Sequence, residues 1–239
     1  MVFISIYLLS LIAGLLTGVG ALITIIIKKP DNKMVAFFLG FASGVMLGIS
    51  MFSLIPESLA LGKVTYCLSG LIVGALFLAF LEYLLPYFYK NEGVDDPYRK
   101  IGYLIALGIG VHNLPEGMAI GASNEVSLQL GFSMALSIGI HNIAEGFSVA
   151  LPLSLSPEIR KSRIVLITTL AGLVTLLGTF LGTLMANISL FFIAFSLSFA
   201  AGAMIYIVAV ELLPQSYRLD NFSTNAGLVV GIALALLLG

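Results

Sequence analysis

The chain is a succession of long apolar segments separated by short polar or charged breaks. A helix needs about 20 apolar residues to cross the hydrocarbon core of a bilayer, and cutting the sequence at its breaks gives eight segments of that size. Their predicted limits are 3–27, 34–56, 64–86, 101–122, 128–151, 164–186, 189–214 and 222–239. The pattern predicts an all-α integral membrane protein in which residues 1–239 form a single transmembrane domain. Residues 123–125 are predicted to join the fourth and fifth segments, and residues 187–189 the sixth and seventh.

Basic residues are divided unevenly between the two sets of connections. Lys and Arg that flank membrane spans stay preferentially in the cytoplasm. The connections after the first, third, fifth and seventh segments hold every basic side chain except Lys63. We therefore expect a multi-pass protein of the cell membrane with both termini on the outer side.

Composition agrees with a membrane protein. The chain is 59% hydrophobic and 10% charged, whereas soluble domains are normally about a quarter charged. A net charge of −1 gives no reason to expect a nucleic-acid partner. The single cysteine, Cys67, excludes an internal disulfide and a cysteine-based zinc site. The partner that the composition does predict is the lipid bilayer.

The sequence also contains an internal repeat. Residues 42–58 align with residues 200–216 without a gap, at a constant offset of 158. Both stretches place a Met ten residues before a Pro. With the orientation above the two segments run in opposite directions, as the inverted repeats of transporters do. We predict a 3+2+3 plan of inverted repeats with a pseudo-twofold axis in the membrane plane, against the alternative that two glycine-rich apolar helices align by chance.

The fourth and fifth segments carry two similar polar motifs. They read HNLPEG at 112–117 and HNIAEG at 141–146, and they contain the only two histidines of the chain. Each motif places a His and a Glu four residues apart, on one face of a helix. A charged side chain at mid-bilayer depth costs about 2.5–3.5 kcal/mol on insertion scales and is by default a functional hypothesis.

The side chains of these motifs are of the types that bind metal ions. Imidazoles and carboxylates are ligands that Zn²⁺ and its first-row neighbours prefer, and the asparagines add amide oxygens. Two carboxylates also give the site a charge that one divalent cation would balance. The alternative is a buried His–Glu pair that only fastens two helices. The candidate metal ligands are His112, Asn113, Glu116, His141, Asn142 and Glu145.

Further candidates come from the repeated second and seventh segments. The thioether of Met46 would favour softer ions such as Zn²⁺ or Cd²⁺ over Mg²⁺ or Ca²⁺, so we take it as a secondary ligand. Met204 is interpreted as packing, as most Met residues in membrane helices are. Glu211 is predicted to act near the inner end of its segment. Glu57 is either a solvated helix end or a collector of ions, and Glu82 has no assigned role.

These features resemble the ZIP (Zrt/Irt-like) family of divalent metal transporters, most closely its bacterial zinc-uptake-like branch. The resemblance lies in HNxPEG and HNxxEG on adjacent spans, in eight spans, and in the Gly-Ala-Met…Val-Glu-Leu-Leu-Pro stretch of the seventh, and it covers essentially the whole chain. It implies that Zn²⁺, and often Fe²⁺, Mn²⁺, Cd²⁺ or Co²⁺, is carried into the cytoplasm as a substrate, with no cofactor. It also implies a metal site at the six motif residues with Met46 contributing, and a homodimer whose first, fourth, fifth and sixth spans slide as an elevator.

The sequence departs from the family pattern in three places. Ala144 replaces the usual proline of the second motif, and Ser53 stands where relatives that transport zinc or iron have a Glu. Thr175 stands where the sixth span of many relatives has a Glu that holds a second metal. We therefore expect one tightly held ion.

Two other functions were weighed against transport. A membrane-embedded metalloenzyme, such as a hydrolase or a di-iron oxidase, would use the same ligands. The sequence has no HExxH motif, and inverted repeats serve alternating access, whereas an enzyme does not require them. A scaffold with buried polar pairs would neither bind nor move metal. We expect a transporter and no enzymatic activity.

Overall fold

All regular structure that the computed structural model describes is helical, over residues 5–27, 31–89, 96–186 and 189–238. The α-helices are α1 Ile6–Ile26, α2 Asn32–Ile49, α3 Ile55–Leu61, α4 Val64–Tyr89, α5 Pro97–Val126, α6 Leu128–Leu155, α7 Lys161–Ala186, α8 Leu190–Ile207, α9 Leu213–Leu219 and α10 Asn221–Leu238. Two π-helical segments, Ser50–Leu54 and Val208–Leu212, join α2 to α3 and α8 to α9. In the described ranges the chain therefore forms eight helical rods, and the all-α prediction is confirmed.

Six of these rods are long and apolar enough to cross a membrane. They are Ile6–Ile26, Asn32–Leu61, Val64–Leu84, Leu128–Leu155, Lys161–Ala186 and Leu190–Leu219. The last rod is apolar but shorter, and α5, which carries the first polar motif, is not among the six. The protein is membrane-embedded, and the count of eight crossings stays a prediction.

The boundary between α5 and α6 lies later than the sequence suggested. The helix α5 continues to Val126, so the predicted connection at residues 123–125 is wrong and those residues are helical. The break comes at Ser127, whose hydroxyl accepts a hydrogen bond from the Leu130 amide at 3.1 Å and so caps α6. Residues 187–188 of the other short connection lie outside the described part of the chain.

The second and seventh rods are built alike. Every element boundary from α2 through α3 recurs from α8 through α9 at an offset of 158 residues. In each rod a proline, Pro56 or Pro214, follows the π-helical segment at the start of the short helix. A proline donates no backbone hydrogen bond and its ring clashes with the preceding turn. The π-helical segment in front absorbs this break in the ladder, so each rod stays continuous.

These two rods cross through a reciprocal pair of hydrogen bonds. Ser58 Oγ donates to the carbonyl of Ala194 at 2.6 Å, and Ser216 Oγ donates to the carbonyl of Ala36 at 2.8 Å. Donors and acceptors are both related by the offset of 158. The end of each rod therefore lies against the beginning of the other, and the two rods run antiparallel.

The helices pack in two groups. In the first, α1 packs on α6 and α7, and α5 packs on α6 and α7. In the second, α2 packs on α10 and α4 packs on α8. The groups meet where α5 contacts α8 and where α2 contacts α6. Both polar motifs belong to the first group and lie near its boundary with the second.

Candidate metal centre

The motif side chains meet where α5 packs against α6. His112 and Glu116 come from α5, and His141 and Glu145 come from α6. Both helices run through their motifs without interruption, although Pro115 lies inside α5. All four side chains are at most 1% exposed. The predicted convergence of the two motifs is therefore present in the fold.

Each histidine lies nearest to the carboxylate of the opposite helix. His112 Nε2 is 2.6 Å from Glu145 Oε1, and His141 Nε2 is 3.1 Å from Glu116 Oε1. Within one helix the corresponding distances are longer, 3.7 Å in α5 and 3.4 Å in α6. Ligand atoms of His112, Glu116 and Glu145 all lie within 4.8 Å of one another. His141 is not part of that group of three, but it contacts both carboxylates, so the four side chains form one cluster rather than two separate pairs.

Several ligand atoms of this set have no hydrogen-bond partner within the described part of the protein. They are Glu116 Oε2, Glu145 Oε2 and His141 Nδ1. An unpaired buried carboxylate oxygen is costly, and a bound cation would satisfy it. His112 is oriented differently, because its Nδ1 lies 3.2 Å from the carbonyl of Gly108. In the tautomer whose Nδ1–H donates to that carbonyl, the Nε2 lone pair would be available to bind a metal ion beside Glu145.

The asparagine beside each histidine is anchored to a third helix. Asn113 Nδ2 donates to the carbonyl of Ala171 in α7 at 3.0 Å, and Asn142 Nδ2 donates to the carbonyl of Ala13 in α1 at 2.9 Å. The two acceptors are again related by the offset of 158. Neither Oδ1 atom has a hydrogen-bond partner among the described residues. Each amide therefore uses its nitrogen to fix the helix packing and keeps its oxygen available.

The glycine that closes each motif permits this packing. A Cβ atom at Gly117 would overlap the carbonyl oxygen of Thr175 in α7, and one at Gly146 would overlap that of Thr17 in α1. Only a residue without a side chain lets the backbones approach so closely. The pattern His-Asn…Glu-Gly thus combines candidate ligands, an anchor and a contact point.

Comparison with known proteins places this chain in a family. The family described as "ZIP Zinc transporter" matches residues 91–239, which include both motifs. The chain belongs to the ZIP zinc transporter family. A relative from Escherichia fergusonii, named Zinc transporter ZupT, is 33% identical over 238 residues, which cover 95% of this chain and 92% of the relative. Proteins of the same name from Salmonella paratyphi A and Escherichia coli are 32% identical with the same coverage.

The family confirms the resemblance seen in the sequence and decides between two of the hypotheses. ZIP proteins are transporters rather than enzymes. The metalloenzyme interpretation is therefore set aside, and the buried imidazoles and carboxylates belong to a protein that moves its metal.

In this ZIP protein the two repeated methionines are both buried, with Met46 1% and Met204 0% exposed. The hydroxyl of Ser50 donates to the carbonyl of Met46 at 2.8 Å and lies 3.4 Å from Met204 Sδ. This contact agrees with the packing role predicted for Met204. A ligand role for Met46 stays a prediction.

Glu211 lies in the second π-helical segment, half-buried, where its Oε2 accepts a hydrogen bond from Gln215 Nε2 at 2.7 Å. It lines a cavity of about 40 Å³ together with Glu82, Tyr206 and Gly108, the residue whose carbonyl holds the first motif histidine. Tyr206 donates its hydroxyl to Glu82 Oε2 at 2.5 Å. Sequence reasoning missed this group, because an α-helix would not bring Tyr206 and Glu211 to one face and the π-helical segment does.

Proposed function

We propose that this ZIP family protein carries a divalent metal ion, Zn²⁺ foremost, across the membrane into the cytoplasm through the buried His/Glu centre. The observation that carries the proposal is the convergence of two imidazoles and two carboxylates, all buried, where α5 packs against α6 in a membrane-embedded protein. Charge in such a place is expensive, and one divalent cation balances both carboxylates. The name of the relatives supports zinc. Cd²⁺, Fe²⁺, Mn²⁺ and Co²⁺ are further ions that nitrogen and oxygen ligands accommodate.

We assign the ion to a defined set of ligands, with the two carboxylates and two imidazoles as the primary contacts. The second carboxylate oxygens and the amide oxygens support this assignment, because they have no hydrogen-bond partner among the described residues. Met46 is proposed to contribute from the second rod, and Glu211 to act along the path toward the inner side. The complete set is His112, Asn113, Glu116, His141, Asn142, Glu145, Met46 and Glu211.

We propose that transport uses inverted repeats in a 3+2+3 arrangement and an elevator-type motion. The matched boundaries of the second and seventh rods and their reciprocal serine bonds support the repeat. The asparagine anchors extend the same offset to α1 and α7. They also tie α1 and α7 to the motif helices, so these four helices would move as one body against the others. Repeats of this kind supply the two equivalent states that alternating access requires.

The orientation and assembly complete the proposal. The basic connections are assigned to the cytoplasm, which leaves both termini outside. A homodimer is proposed from the family resemblance alone. Both features can be measured by labelling of the termini in cells and by mass determination in detergent.

Zinc flux into proteoliposomes tests the proposed function. Glu116→Gln and His141→Ala each remove a primary ligand while the apolar helices keep their packing, so we expect insertion and purification as for the unmodified protein and loss of uptake. Glu125→Gln is the matched control, because Glu125 lies on the same helix and is exposed. Uptake by either ligand variant at the unmodified rate would refute the assigned site.

Calorimetry separates the scaffold alternative from a blocked transporter. A scaffold neither binds nor moves zinc in its unmodified form. A transporter binds zinc in detergent, and its binding weakens in Glu116→Gln. Absence of both binding and flux in the unmodified protein would establish the scaffold and overturn the proposal.

A further inference from the structure

A basic cavity lies at the beginning of α7, away from the metal centre. It encloses about 430 Å³ and is lined by Glu158, Arg160, Ser162, Arg163 and Leu166. Both arginines are exposed, as is the neighbouring Lys161. The carboxylate of Glu158 is already paired with Arg99, at 2.8 Å. Among the described residues that line it, the cavity therefore presents an excess of positive charge at the beginning of a membrane-embedded helix.

An apolar groove begins one turn further along α7. It encloses about 550 Å³, and its walls include Leu107, Val111 and Leu114 of α5 with Ile167, Leu170 and Leu177 of α7. Phe77 of α4 also contributes to the lining. The groove lies in the apolar part of the molecule, where the medium is lipid.

The cavity and the groove lie along one face of α7, and together they are called the furrow. Arg163, Ile167, Leu170, Val174 and Leu177 follow one another at intervals of four and three residues, so they occupy a single stripe along the helix. The first of them lines the basic cavity and the other four line the groove. A positive charge therefore stands at the head of an apolar channel, as an amphiphile with an anionic head requires.

We infer that this furrow binds one anionic phospholipid, with its phosphate on Arg160, Arg163 and Ser162 and an acyl chain between α5 and α7. Guanidinium groups bind phosphate through two parallel hydrogen bonds, and basic pockets between membrane helices bind anionic headgroups. The start of the 26-residue helix α7 adds partial positive charge at the same place. Charge complementarity selects an anionic lipid over a zwitterionic one, and the groove selects a lipid over free phosphate. None of the furrow residues is a proposed metal ligand.

Retention of lipid by the purified full-length chain tests the headgroup site. Native mass spectrometry would compare dioleoyl phosphatidylglycerol with dioleoyl phosphatidylcholine. We expect one retained phosphatidylglycerol, and about a thirtyfold loss of its affinity in the double variant Arg160→Gln/Arg163→Gln, since each basic side chain near the surface contributes about 1 kcal/mol. Lys63→Gln, an exposed basic residue outside the furrow, is the control and should retain the lipid. Equal retention of both lipids, or an unchanged affinity in the double variant, would overturn the inference.

A second pair of variants tests the acyl-chain groove. Leu170 lines the groove and is 54% exposed, so Leu170→Trp should fill it and release the lipid while both arginines remain. Leu184→Trp is the control, because Leu184 is 59% exposed on the same helix and is not among the residues that line the groove. Inorganic phosphate should not displace the lipid at millimolar concentration. Displacement of the lipid by phosphate, or full retention of the lipid by Leu170→Trp, would show that the site binds an anion without using the groove. Either result would contradict the proposal.

Discussion

Each motif asparagine holds two helices together with a single side-chain hydrogen bond. Asn142→Ala should remove the bond to the Ala13 carbonyl and lower the free energy of unfolding by about 1 kcal/mol, the usual net value of such a bond. Asn113→Ala should lower the free energy of unfolding by the same amount, because the hydrogen bond from Asn113 to α7 is of similar length. Thermal melting in detergent measures both. Asn225→Ala is the control, because the only bond shown for Asn225 among the described residues, which it accepts from Tyr217, is exposed to solvent and should contribute less. If both motif variants melt at the same temperature as the control variant, the asparagine bonds do not hold α1, α5, α6 and α7 together.

The two imidazoles predict how zinc binding depends on pH. A histidine binds metal through a neutral ring nitrogen, so protons compete with zinc more strongly as the pH falls. We expect affinity to decrease at least about tenfold between pH 7.5 and 5.5. Calorimetry at the two pH values gives the measurement. An affinity that does not change would exclude histidine ligation.

At this scale the sequence predicted that the two motifs converge, but not the contacts that support them. Spacing of four residues on a helix was enough to pair each His with a Glu on one face. The shorter contacts run across helices instead, because the crossing of α5 and α6 decides which carboxylate each imidazole meets. The partners of Asn113 and Asn142 are backbone carbonyls far away in the chain, and no local pattern marks them.

The close approach of α5 and α7 depends on Gly117, so replacing this glycine should be destabilising. Gly117→Ala would push a methyl group into the backbone of Thr175, and overpacking of this kind typically costs about 1–3 kcal/mol. Gly110→Ala on the same helix meets only ordinary contacts, the nearest being 3.7 Å from the Ala171 Cα. It should therefore be neutral or slightly stabilising in a helix. Melting temperature and zinc uptake distinguish the two variants, and equal stability of both would contradict the packing described for the motif.

Helix ends and irregular turns were harder to foresee than helices. Residues 123–125 include polar side chains, which suggested a connection, yet none of them breaks a helix and the capping hydroxyl comes only at Ser127. Pro56 and Pro214 marked the repeat in the sequence, and the structure places each at the start of the short helix that follows a π-helical segment. Whether a helix ends, kinks or widens into a π-helical segment at a proline depends on the packing of neighbouring helices. The offset of 158 could be found from the sequence, because aligning the two repeats requires only the identities of their residues.

Charge balance over the whole site predicts how many ions the protein holds. Two divalent ions 4 Å apart repel by roughly 16 kcal/mol at an effective dielectric constant of 20, four times the value for unit charges. The two buried glutamates offset only one such ion. Thr175, on α7, is buried and its hydroxyl has no hydrogen-bond partner in the described structure, but it carries no charge. We expect one zinc per chain by elemental analysis after dialysis.

Changing that residue provides the test. Thr175→Glu should raise the zinc content or the affinity for a second ion. Thr175→Gln should not, because a Gln side chain has the size of Glu but carries no charge. Two fully bound ions in the unmodified protein would mean that Glu211 or the asparagines contribute more than assigned.

The reciprocal serine bonds have a consequence for biosynthesis. Ser58 is separated from Ala194 by 136 residues, and Ser216 from Ala36 by 180. A ribosome adds roughly 5–20 residues per second, so the second rod enters the bilayer on the order of ten seconds before its partner exists. During that interval Ser58 has no partner from the seventh rod. The crossing of the two rods is therefore a late step that follows membrane insertion. A chain truncated before the seventh rod would reach the membrane without this contact. Such a chain would be exposed to quality-control proteolysis.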